Sequence, residues 1–152
     1  MLHWRITPRA GDETLVMLYG EITEATSFSD LLALRGTAAL DLAGVRRINS
    51  FGVRELVDFL DQLGSRCLIA AERCSPAVVS QLNMLPELMR HISVRSVLVP
   101  MECTRCFHER DVLLDLPPGT RHPDVPRTMC DECDAEMALA DLPERYFAFL
   151  VV

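Results

Sequence analysis

The sequence contains no lysine. All 15 basic residues are arginine, scattered along 152 residues, and 22 aspartates and glutamates outnumber them to leave a net charge of −7. Such a chain is a poor general binder of nucleic-acid phosphates, which calls for a basic surface that displaces counterions. Long apolar runs are missing too. No stretch approaches the roughly 18 to 20 residues that a membrane-spanning helix needs, and the apolar segment 146–152 is far too short. Met1-Leu2-His3-Trp4-Arg5 carries no basic segment leading into an apolar one, so a cytoplasmic location without a signal peptide is expected. There is no Gly-rich phosphate loop, no HExxH and no GxSxG, and His3, His91, His108 and His122 stand apart from any nucleophile motif. The expectation is a protein without enzymatic activity.

What the chain does have is six cysteines, four of them in two Cys-x-x-Cys pairs, Cys103/Cys106 and Cys130/Cys133. A Cys-x-x-Cys turn aims two thiols at one point, and two such turns supply the four thiolates of a tetrahedral zinc site. Four protein ligands leave no position for water or substrate, so the expected zinc is structural. The gap of 23 residues between the pairs is slightly longer than usual, but Pro117-Pro118-Gly119 provides a turn within it. A redox dithiol would need only one pair at a helix start, disulfides lack a secretory context, and an iron–sulfur cluster is left to metal analysis. His108 and His122 are alternative ligands or ordinary surface histidines. Cys67 and Cys74 read as buried or semi-buried free thiols.

The pattern of elements divides the chain into residues 1–100 and residues 101–152. With 49% hydrophobic residues, the first part can build a true core. A weak strand over 2–7 and a Gly11-Asp12 turn precede a strand over 14–20. Residues 27–35 read as a helix with Ser27 and Asp30 as a capping box and Gly36 as its stop. A buried strand follows over 38–42, then an amphipathic helix on Val53, Leu56, Val57, Leu60 and Leu63, and a buried strand over 67–71. A helix starts at Ser75-Pro76 with Val78, Val79 and Leu82 as its apolar face, and a strand over 94–99 ends at Pro100. This ββαβαβαβ order predicts an α/β fold, a mixed sheet with helices packed mainly on one face.

Residues 40–53, Leu-Asp-Leu-Ala-Gly-Val-Arg-Arg-Ile-Asn-Ser-Phe-Gly-Val, resemble the STAS domain of sulphate transporters and anti-sigma factor antagonists, whose motif is an LDLSGV strand, an IDSSG loop and a helix. The resemblance covers about two thirds of the chain. It implies a switchable docking module that binds a kinase, an anti-sigma factor or another regulatory protein, or serves a lipid-transport ATPase. It also makes Ser50 the candidate phosphorylation site, with Asn49 and Phe51 standing where the family has aspartate and serine. A helix start stabilises a phosphate. Equally, Asn49 or Ser50 is a good helix cap. Asn49, Ser50, Phe51, Arg54 and Glu55 form the expected partner-binding surface.

In the C-terminal part, residues 111–116 read as a strand of a zinc ribbon, and Phe107 and Asp134 occupy the positions where such knuckles often have glycine. Glu102, Glu109, Asp111, Asp115, Asp131, Glu132, Asp134 and Glu136 surround the cysteines, which favours a protein partner over nucleic acid. Asp141 and Pro143 open a closing helix whose Tyr146, Phe147, Phe149 and Leu150 pack on the chain's own core or form a homodimer face. The expectation is thus an interaction module tied by zinc. The alternatives are a nucleic-acid-binding component of a transcription complex and a transport-ATPase subunit.

Overall fold

Strand β2 (Glu13–Ile22) shows the alternation that organises the body: Val16, Leu18 and Ile22 are buried while Tyr19 is exposed. In the computed structural model, which describes Met1–Val151, β2 pairs antiparallel with β1 (His3–Pro8) and parallel with β3 (Gly36–Ile48). On the far side of β3, β4 (Cys67–Glu72) and then β5 (Ile92–Val94) add in parallel, giving the order β1-β2-β3-β4-β5. The parallel connections carry α1 (Ser50–Gly64) and α2 (Pro76–Met84). The chain is thus an α/β protein with a mixed sheet.

Helix α1 buries Val53, Leu56, Phe59, Leu60 and Leu63. Gly52 allows it to dock, since a Cβ there would collide with the Ile22 carbonyl oxygen at the end of β2. Helix α2 begins where Ser75 and Pro76 predict: Ser75 Oγ accepts from the Val78 N–H and donates to the Val45 carbonyl at 2.6 Å, tying the cap to β3. The expected helix over 27–35 is instead a 3₁₀ turn, Ser29–Ala33, without a side-chain cap. Phe28 is held by stacking on Phe59 at 4.4 Å and Leu34 is already extended, so too few residues lie between them to repay helix nucleation.

A second sheet of order β7-β6-β8 comprises β6 (Ser96–Cys103), β7 (Glu109–Asp115) and β8 (Met137–Leu139), all antiparallel neighbours. It grows directly out of the first. Arg95 N–H donates to the Ala71 carbonyl, Cys74 N–H to the Ser96 carbonyl and Leu98 N–H to the Cys74 carbonyl, so β5 and β6 follow one edge with a single irregular residue between them. Strand β6 runs across residue 100, and one apolar cluster joins Val97, Val99 and Met101 to Tyr146, Phe147 and Phe149. The closing helix is shorter than expected. It is one turn, α3 (Pro143–Tyr146), with Leu142 rather than Asp141 at its cap, followed by a 3₁₀ turn over Ala148–Leu150. Asn83 of α2 accounts for the break, donating to the Tyr146 carbonyl at 3.0 Å and accepting from the Phe149 N–H at 2.9 Å.

The sheet face away from the main cluster is closed differently. Register places Glu13, Leu15 and Met17 of β2 level with Thr37, Ala39 and Asp41 of β3 and with Leu68, Ala70 and Glu72 of β4. The diagonal from Glu13 to Glu72 therefore crosses Ala39, which is 0% exposed. Arg9 grips Glu72 at 2.8 and 3.0 Å and Glu13 at 3.1 Å, while Arg95 bridges the same two carboxylates at 2.8 Å each. Four long side chains cross this face over Ala39, while Leu68 on the same face is 75% exposed. Magnitudes rank the two faces: each buried leucine or phenylalanine is worth about 1.5–3 kcal/mol, and a part-exposed ion-pair network about 1 kcal/mol.

The Arg9 guanidinium chiefly holds Glu72 below the usual carboxylate range, and Arg95 does the same for Glu13. A carboxylate depressed in the folded state adds stability above its unfolded pKa of about 4.3 and loses it as pH falls through the lower folded value. Urea unfolding at pH 7 and at about pH 3 should show Glu72→Gln less stable by about 1 kcal/mol at the higher pH and little different at the lower. An equal deficit at both would remove the network from the account.

Candidate metal centre

Two short turns of the same construction face each other at one end of the second sheet. In the first, the Cys103 N–H donates to the His108 carbonyl at 2.8 Å and the Phe107 N–H donates to the Cys103 carbonyl at 3.2 Å. In the second, the Cys130 N–H donates to the Ala135 carbonyl at 2.7 Å and the Asp134 N–H to the Cys130 carbonyl at 2.9 Å. Their backbones match in a further detail. Phe107 and Asp134 have φ of 64° and 61°, the left-handed conformation that glycine adopts at lower cost. Thr104 ties the turns together by donating from Oγ1 to the Glu136 carbonyl at 3.0 Å.

This construction brings all four sulfurs together. Cys103 Sγ lies 3.4 Å from Cys133 Sγ, and Cys106 Sγ lies 3.6 Å from Cys130 Sγ. A disulfide would require about 2.05 Å. Zinc–sulfur bonds of about 2.3 Å in a tetrahedron put neighbouring sulfurs about 3.8 Å apart, so the donor set fits a four-thiolate metal ion. Backbone N–H groups are already turned toward the sulfurs: Arg105 and Cys106 donate to Cys103 Sγ at 3.3 and 3.4 Å, and Glu132 donates to Cys130 Sγ at 3.4 Å. The Cys106 N–H is the main cause that holds the Cys103 thiol down at about 6. At Cys106 the His108 N–H also pulls downward, but burial and the neighbouring sulfurs of Cys130, Cys133 and Cys103 outweigh it and push the thiol up to about 12. A bound cation would draw all four sulfurs to the thiolate state. Cys103 and Cys130 are buried, Cys133 is half-buried and Cys106 is exposed.

The other sequence candidates separate into two places. Asn49 is the cap of α1, its Oδ1 accepting from the Gly52 N–H at 2.6 Å. Ser50 is the first helical residue and exposed, Phe51 beside it is 60% exposed, Arg54 is exposed and Glu55 half-buried. Sequence reasoning missed Glu24, which accepts from Asn49 Nδ2 at 2.8 Å and is held below the usual range chiefly by that bond. Nothing local in the sequence links residues 25 apart. His108 lies beside Asp131 rather than in the sulfur cluster, and His122 lines a surface cleft with Pro143 and Phe147. Cys67 and Cys74 are buried. Cys67 Sγ meets the Leu34 carbonyl at 3.0 Å, and burial, with Asp41 adding, pushes Cys74 up to about 12, which leaves it without nucleophilic character near neutral pH.

Among known proteins, no family model matches this chain and no curated protein matches it. The likeness of residues 40–53 to the STAS motif is a resemblance of sequence alone.

Two sets of substitutions test this geometry. Phe107→Gly and Asp134→Gly should each raise stability by about 0.5–1 kcal/mol by relieving the left-handed conformation, read as thermal midpoints of metal-loaded protein; unchanged midpoints in both would deny the strain. In urea, Asn49→Ala should cost about 1 kcal/mol as the loss of a cap, while Ser50→Ala stays within about 0.5 kcal/mol. A reversed order would move the cap to Ser50.

Proposed function

We propose that this chain is a non-enzymatic regulatory interaction module whose C-terminal ribbon is held by one structural zinc ion. The observation that carries the reading is the convergence of four sulfurs from two matching turns, with backbone N–H groups supporting them. Cys103, Cys106, Cys130 and Cys133 would fill the tetrahedron, and zinc bound there supplies cross-linking of the β6–β7 turn to the segment before β8. The ribbon between these turns is small. Its strand β8 pairs over only three residues, which such a link would reinforce.

The partner-facing surface in this reading is the start of α1, where Ser50, Phe51 and Arg54 are exposed together. Phe51 is 60% exposed, and the STAS likeness assigns docking to the same loop. Phosphorylation of Ser50 would add charge at the helix start, favoured by the dipole and opposed by Glu24 on the neighbouring cap. The net charge of −7 and the carboxylates of Glu109, Asp131 and Glu132 near the cysteines argue against a nucleic-acid partner, outweighing the exposed Arg105.

Elemental analysis of the purified protein is expected to find one zinc per chain, lost in Cys103→Ser combined with Cys130→Ser. A folded, metal-free protein, or an iron cluster with its visible absorption, would contradict the reading. Pull-down with Phe51→Ala and Ser50→Asp as controls tests the docking surface: both should change recovery of the partner while the zinc content stays at one.

A further inference from the structure

Beside the sulfur cluster, and separate from it, three further donors converge from the same two turns. His108 follows the first Cys-x-x-Cys pair, Asp131 and Glu132 sit between the two cysteines of the second, and the imidazole and both carboxylates present ligand atoms within 4.8 Å of one another. The separations are informative. His108 Nε2 stands 3.4 Å from Asp131 Oδ1, and Arg110 Nη1 stands 3.5 Å from Asp131 Oδ2. Charged N–H···O bonds close to about 2.7–2.9 Å, so neither contact has drawn in. Two ligands on one tetrahedral zinc ion, with bonds of about 2.0–2.1 Å, stand about 3.4 Å apart. The His108–Asp131 separation is that of a loose ion pair and also leaves room for a common ion between the two donors.

The geometry points to a second metal site, made by His108 Nε2, Asp131 and Glu132, that takes a borderline divalent transition ion such as Zn²⁺, Co²⁺ or Ni²⁺. One imidazole and two carboxylates suit these ions, whereas the four thiolates next door select a softer environment. The two sites differ in kind. The sulfur site is closed by four protein ligands; the second has three, leaves coordination positions to water or to a donor from another molecule, and lies at the surface with Asp131 and Glu132 exposed. It therefore binds more weakly and exchanges freely. Arg110 works against it, because its guanidinium competes for Asp131. The proposal rests on the four-cysteine site, which fixes the two turns that carry the donors.

The test uses the full chain, loaded with zinc and desalted so that only the tightly held ion stays, then titrated with Co²⁺. Retained zinc is measured first, and a chain that keeps none fails the four-cysteine reading before cobalt is added. On the zinc-loaded chain, one equivalent of Co²⁺ should bind with paramagnetic broadening centred on the His108 imidazole and without sulfur-to-cobalt charge-transfer absorption. His108→Ala should weaken that binding by at least about tenfold, the lower end of what loss of even an outer-shell partner costs, while zinc retention stays at one. Arg110→Gln should tighten it. The proposal is overturned if zinc-loaded protein takes up no cobalt, or if uptake survives both His108→Ala and Asp131→Asn.

Discussion

The meeting of four sulfurs at the end of the second sheet is the constraint on which the C-terminal third depends. Strand β8 has only three residues and pairs with β6 alone, and between β7 and β8 the chain runs through 21 residues with a single isolated bridge, Met129 to Glu136. Closing a loop of that length costs entropy that three ladder residues do not return. A metal ion bound by Cys103, Cys106, Cys130 and Cys133 would close it at both ends of the turn pair.

The body rests on different physics. Its sheet is covered on one face by α1 and α2 through ordinary apolar burial, and on the other by the Arg9–Glu13–Glu72–Arg95 network passing over Ala39. Arg95 lies at the joint between β5 and β6, so the network also pins the place where the ribbon leaves the body. The Asn83 clamp on Tyr146 and Phe149 fastens the end of the chain to α2. The two sheets thus share one strand edge and one apolar cluster.

Much of this was legible in the residues. The apolar run 38–42 marked the middle of β3 and the spacing of Val53, Leu56, Leu60 and Leu63 marked α1, whereas the strand expected over 94–99 is divided between β5 and β6, and β6 passes through Pro100 to Cys103. The cysteine turns were legible because Cys-x-x-Cys spacing dictates its own geometry, and the positive φ at Phe107 and Asp134 fits the positions where glycine was expected. Elements decided by tertiary contact were not legible. The 27–35 segment gave way to the Phe28–Phe59 stack, Asp141 lost the cap position to Leu142, and the chain after Tyr146 bent to meet Asn83. The ion network and the Glu24–Asn49 bond join residues far apart in sequence, for which a single chain carries no local signal. Ser50 as a switch is a matter of partner and kinase, which neither periodicity nor packing encodes.

Hydrogen exchange of the zinc-loaded protein before and after chelation reads out whether a bound ion holds the ribbon in place. If the four thiolates and their ion hold the ribbon, chelation removes amide protection from both cysteine turns, β7 and β8 while β2, β3 and β4 keep theirs, since their protection derives from apolar burial. Protection that persists through β7 and β8 without metal would contradict the account.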